Sequence, residues 1–253
     1  MRRRHSNKAE PITADTVAAL AALEADDLRQ VILDMLPELD VRTHGLVVGR
    51  LIECAARGSS CWTPDSPASA AVREILAFAE DARQRGHADP SAVDDYLQQG
   101  CNAFLAKDYV TALEIFTALL VPLNRAEIDL GQDERIDEVL GSDVDACATQ
   151  YVVATYMTTR PDQRAAAVKA ALAAMDTVSY FPEPLAKMES VAVESLPDFD
   201  AFLTHWEALL KQETPARRKS DWDSNGDRWI REVVRHRAGA AGLSEWARST
   251  KRA

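Results

Sequence analysis

From Thr13 onward, apolar residues recur at three- and four-residue spacing rather than in alternation, and Ala fills many positions between them. That period is the mark of amphipathic helices, and Ala orders the least side chain inside one. Val17, Leu20 and Leu23 mark a first helix, which Thr13 or Asp15 can cap. Asp26 and Asp27 open a second, where acids meet the positive end of the helix dipole. Leu28, Val31, Ile32, Met35 and Leu36 share its apolar face. A third helix, about Val41 to Arg57, is expected to bury Leu46, Val47, Leu51 and Ile52 and to stop at Gly58. After the loop of residues 58–68, a helix over 69–85 sets Val72, Ile75, Leu76 and Ala79 in register and ends at Gly86. Asp89-Pro90-Ser91 then starts another, with Pro tolerated in the first turn.

The segment Ser91–Leu123 is the most informative. It predicts two helices around the turn Ala106-Lys107-Asp108. Tyr96, Leu97, Gly100, Phe104 and Leu105 lie on the first, and Tyr109, Ala112, Leu113, Phe116, Leu119 and Leu120 on the second, which Pro122 ends. Gly100 and Ala112 are small where the helices should cross closely. In the placing of Tyr96, Gly100, Tyr109, Ala112 and Phe116 this hairpin resembles a tetratricopeptide repeat; Phe104 sits one place late and Pro122 comes early. Further helices are expected near 134–140, 143–159, 161–175, 184–195 and 198–212. The resemblance implies stacking, because one hairpin cannot cover its own apolar face. The expected fold is therefore all-α, a right-handed array of antiparallel helical hairpins without a β-sheet. It comprises a flexible basic arm over 1–11, a helical-repeat body over 12–212 and a basic helical cap over 213–253. Over the body the chain is also similar to the helical region that follows the zinc finger in bacterial SWIM-type proteins. The likeness rests on EADDLRQVILDMLPEL, on the repeat-like centre and on IDEVLGSDVDACATQYVVATYMTTRPD. The finger's C-x-C and C-x-H pairs are missing, so no zinc function is implied.

Charge changes the picture at the ends. The net charge is −11, yet residues 1–8 carry four Lys/Arg and no acid, and residues 214–253 carry ten Lys/Arg against five Asp/Glu. The acidic body should repel nucleic acid and anionic lipid and favour a basic partner. The basic ends either reach such anions or fold back on the body. No apolar run is long enough to span a membrane, and no secretory signal follows the basic start, so a cytoplasmic location is expected. Cys54, Cys61, Cys101 and Cys147 form no C-x-x-C pair and read as core residues.

One motif stands out chemically. DWDSNGDRWIRE, Asp221 to Glu232, fits the calcium-loop pattern letter by letter. Calcium takes six to eight oxygen ligands around a tight turn. Asp221, Asp223 and Asn225 would supply side-chain oxygens, Asp227 its carbonyl, and Glu232 a bidentate carboxylate. The competing reading is a polar N-cap followed by a helix burying Trp229, Ile230, Val233 and Val234. No nucleophile elbow, phosphate loop or paired-histidine metal motif occurs, and carboxylate pairs such as Asp94-Asp95 read as caps. No other cofactor is expected. The sequence thus points to a non-catalytic interaction or scaffold module, with Tyr96, Tyr109 and Tyr156 as candidates for its surface. A calcium-binding protein, or a nucleic-acid-associated factor using Arg231 and Arg235, are the alternatives.

Overall fold

The computed structural model describes residues 13–58, 62–131, 136–213 and 224–250, and over these the chain is all-helical. No β-strand forms among the described residues; the extended pairing there is one isolated bridge between His87 and Asp129. In chain order the elements are α1 (Ala14–Ala22), α2 (Ala25–Met35), a 3-10 turn (Leu36–Glu38), α3 (Val41–Gly58), α4 (Ser69–Arg85), α5 (Pro90–Leu105) and α6 (Tyr109–Asn124). They continue with α7 (Ile136–Val139), α8 (Val144–Thr158), α9 (Arg164–Ala173), α10 (Pro184–Val191), α11 (Phe199–Glu213) and α12 (Asn225–Thr250).

Local chemistry sets most of the helix ends. Thr13, Asp89, Asp108 and Asp143 each accept a backbone N–H from the first turn of α1, α5, α6 and α8. Gly86 closes α4 in the left-handed region, at φ 75°. Pro122 does not end α6, which runs on to Asn124. A proline so near a helix C-terminus forfeits a single intrahelical bond. The last carbonyls are taken up as the chain turns: Arg125 N–H donates to Val121, Glu127 to Pro122 and Ala126 to Leu123.

The core begins at the α5–α6 hairpin. A Cβ added at Gly100 would stand 2.8 Å from Phe116 Cε1 and 3.1 Å from Ile115 Cγ2, so glycine is what lets the helices approach. Ala112, Phe104 and Phe116 are fully buried at the crossing. α4 packs on α6, and α8 lies against α5, α6, α9 and α10. α8 is buried over most of its surface, with Val144, Cys147, Ala148, Val152, Val153, Ala154 and Tyr156 enclosed. A run of aromatic contacts carries the core onward. Tyr156 meets Phe202 edge-on at 5.0 Å, Phe202 stacks on Trp206 at 5.8 Å, and Trp206 stacks on Trp229 at 5.7 Å. Trp229, Ile230 and Val233 thereby join α12 to the same buried cluster as the central helices.

Two polar residues hold this arrangement from a distance. Asp94 is not the local cap that its place in α5 suggests. Its carboxylate accepts the N–H groups of Gly141 (2.6 Å) and Ser142 (2.8 Å), in the turn leading to α8. Arg164 is buried beneath Tyr156, its guanidinium 4.7 Å from the ring centroid. It donates to the carbonyls of Thr159 and Pro197 and to Asp198, while Tyr156 Oη also donates to Pro197, at 2.6 Å.

The crossing at Gly100 yields a direct test. Gly100→Ala adds helix propensity worth about 1 kcal/mol, yet forces the new methyl into Phe116 at an overpacking cost of roughly 1–3 kcal/mol. The variant should melt below the wild type in thermal denaturation followed by circular dichroism, against the gain that propensity alone would bring.

Candidate functional site

Burial is unevenly distributed along the chain. α1 and α2 contribute no residue to the buried core, which starts at Ala56 in α3. The stripe expected on α2 forms but is only partly covered: Leu28, Ile32 and Leu36 are half-buried, and the rest stays open. Met35 is 57% exposed, Leu33 beside it 60%, and Val31, Val17 and Leu20 are exposed as well. α2 packs chiefly on the 3-10 turn, and α3 reaches the body through α5. Leu46 and Leu51, expected inside, are exposed instead. The reason is geometric: α3 meets α5 along a limited strip where Gly49 lies against Gln98, and only Ala56 and Ile52 of α3 pack into the core. Six acids lie along α2 and the turns flanking it, Glu24, Asp26, Asp27, Asp34, Glu38 and Asp40. Arg29 pairs with Asp26, and Asp40 is committed to the N–H and hydroxyl of Thr43.

The tyrosines do not converge on one surface. Tyr156 is fully enclosed, so it is a core residue and lines no surface. Tyr96 is half-buried, edge-on to Phe78 at 4.9 Å, with its hydroxyl at 3.4 Å from Glu74. Tyr109 is half-buried too and donates to Glu194 Oε1 at 3.0 Å, while Lys107 holds Glu194 Oε2. Burial and that carboxylate push the Tyr109 phenol well above its ordinary range. Tyr96 and Tyr109 brace α5 and α6 against their neighbours.

At the other end, Arg228, Arg231 and Arg235 of α12 face a cleft of about 510 Å³ shared with Pro182, Glu183 and Glu232. Arg235 pairs with Glu183 at 2.8 Å, Arg237 with Glu207 at 2.7 Å, and Arg228 bonds the hydroxyl of Tyr180. This basic helix meets acids of the body.

The calcium pattern divides. Asp221 and Asp223 lie outside the described residues. Asn225 and Asp227 do not curve around a site but sit in the first turn of α12. Ser224 and Asp227 form a reciprocal cap there, Ser224 N–H donating to Asp227 Oδ2 and Asp227 N–H to Ser224 Oγ. Glu232, the residue that would close the loop, is buried and turned toward α10. Its two oxygens accept the N–H groups of Leu185 (3.2 Å) and Ala186 (2.9 Å). Pro184 opens α10 and has no N–H, so these are the first donors that the helix leaves open. In the described half of the motif, Ser224 and Asp227 form an N-cap and Glu232 caps α10 from a distance. Among the described residues no cluster of three His, Cys, Asp or Glu side chains could hold a metal ion, and no helix is long and apolar enough to cross a membrane.

No protein-family model, curated protein or solved structure matches the chain.

What sequence reasoning missed is non-local. That Val31 and Met35 stay uncovered was not readable from α2, whose stripe looks like any buried one. Glu232 offered a faint signal, as an acid on the apolar face of its helix beside Trp229 and Val233.

Glu232 carries a pH prediction. Burial raises its carboxyl to about 7, with Glu183 adding repulsion, against the two N–H bonds and Arg235. The folded protein therefore holds a proton that the unfolded chain releases near its ordinary value. This contribution to stability is complete below about pH 4.5 and is lost as pH rises through 7. Its ceiling is about 3 kcal/mol. Melting temperature should fall from pH 5 to pH 8, and Glu232→Gln should flatten that slope; an unchanged slope in the variant would contradict the assignment.

Proposed function

We propose that the protein is an interaction module whose α1–α3 end binds a partner presenting an amphipathic, basic helix. The uncovered apolar edge of α1 and α2 carries the reading. An exposed apolar patch rimmed by polar residues marks a place where another protein sits. The acids around it select the partner's charge, since a second copy of the same edge would bring like charges together. Packing order supports a repeat-like body behind it. α5 with α6, α8 with α9 and α11 with α12 pair as successive hairpins, and α6 with α8 and α9 with α11 join one pair to the next. That order supports a tetratricopeptide-like stack, with α10 set outside it against α8 and α12. Nucleic acid fits less well, because Arg235 and Arg237 are already paired with Glu183 and Glu207.

A designed basic amphipathic helical peptide and its acidic counterpart, titrated by fluorescence anisotropy, test the reading. The basic peptide should bind, more weakly at high salt, and the acidic one should not. The double substitution Val31→Asp, Met35→Asp should weaken binding by tenfold or more, since each buried apolar side chain contributes roughly 1.5–3 kcal/mol. Both positions are exposed, so melting temperature should hold. Equal binding of the two peptides, or indifference to the substitutions, would count against it. A wild-type dimer that the substitutions dissociate would replace the basic partner by a second copy.

A further inference from the structure

A second cavity, of about 270 Å³, lies between α3, α5 and α8. α3 presents Gly45 and Gly49 to it, so no side chain fills the space at those positions, and Cys101 of α5 and Cys147 of α8 form part of its wall. The two thiols lie 46 residues apart in sequence and face each other with sulfurs 3.5 Å apart. Cys101 is half-buried and Cys147 enclosed. Beside them Gln150 is buried with its Oε1 unpaired, so this wall is not a plain apolar core in which paired cysteines would be inert filler.

We propose that Cys101 and Cys147 are a dithiol that closes reversibly to an intramolecular disulfide, joining α5 to α8 at the wall of this cavity. A disulfide needs about 2.05 Å between the sulfurs. The thiols are already in contact, so the remaining approach is about 1.5 Å, within the reach of side-chain rotation. A hydroperoxide is the oxidant by class, and the cavity gives it access to Cys101. The Cys101 thiolate attacks one peroxide oxygen. The O–O bond breaks, and the leaving oxygen departs as water, or as an alcohol from an organic peroxide. Cys101 is then a sulfenic acid. Cys147 sulfur attacks it, the S–S bond forms, the S–O bond breaks, and a second oxygen leaves as water carrying the Cys147 proton. The hydrogen bond that its S–H makes to the Cys101 sulfur, together with burial, holds the Cys147 thiol well above its ordinary range. Cys147 is therefore the resolving partner, and the exposed Cys54 is an internal control.

The native protein is treated with hydrogen peroxide, unfolded, alkylated and mapped by mass spectrometry without reduction. The expected product is one pair of peptides, carrying Cys101 and Cys147, joined and lighter by two hydrogen atoms, and separated again by dithiothreitol. The same oxidation in urea should give a mixture of pairings that includes Cys54 and Cys61. Cys101→Ser should leave Cys147 fully alkylated. The proposal fails if Cys147 of the wild type stays alkylatable while Cys101 or Cys54 is oxidised. It fails equally if the native protein gives the same mixture as the unfolded chain.

Discussion

The constraint on which the structure depends is the burial of α8 on nearly every side, with Asp145 and Thr158 its exposed positions. A helix with so little solvent side must be enclosed by other elements. α5 and α6 cover one side, α9 and α10 another, and α7 and the turn before it close the start. Enclosure makes every polar atom near the helix a liability unless it is bonded. The turn before α8 is accordingly held by Asp94, and the hydroxyls of Thr149, Thr155 and Thr158 bond back to carbonyls one turn earlier. Gln150 Oε1 is the exception, and it stands at the cavity wall that Cys101 and Cys147 share.

From α8 the same core passes outward through aromatic side chains. Tyr156, Phe202, Trp206 and Trp229 hand it from α8 to α11 and then to α12. Large rings suit this task because each buries much area and tolerates offset or edge contact. Trp206 Nε1 finds no partner in this seam, but two other kinds of polar group there do. Arg164 serves one, satisfying the carbonyls of Thr159 after α8 and Pro197 before α11. Glu232 serves the other, caught between burial, which favours its neutral form, and two N–H donors, which favour the charged one. Burial wins, and a structural cap becomes a titrating group.

The opposite end is governed by the absence of such enclosure in the described structure. α1 and α2 have sound helix signals and a good apolar stripe, yet they add nothing to the core. A stripe left open there, with acids at its margin, is what the interaction reading rests on. Among the described residues, the centre and the C-terminal helices bury their apolar surface against one another, while much of that on α1 and α2 is exposed.

Helix type and most helix ends were legible in the sequence, because they follow from local rules. Thr13, Asp89-Pro90 and Gly86 act within one turn of where they stand. Gly100 opposite Phe116 was legible as well, since a hairpin with so short a turn leaves few ways to cross. Which stripes would be covered was not legible. Leu46 and Leu51 belong to a helical apolar pattern just as Val72 and Ile75 do, and only the placing of α3 against α5 leaves the first pair outside. Asp94, Glu232 and the Cys101–Cys147 contact are likewise invisible in one dimension, their partners being about 46 residues away. Sequence alone determined an all-helical chain with its hairpin and caps, because backbone hydrogen bonding in a helix is satisfied locally. Only the tertiary structure decided the enclosed helix, the open edge and the thiol pair, because burial belongs to surfaces that meet after the chain has folded.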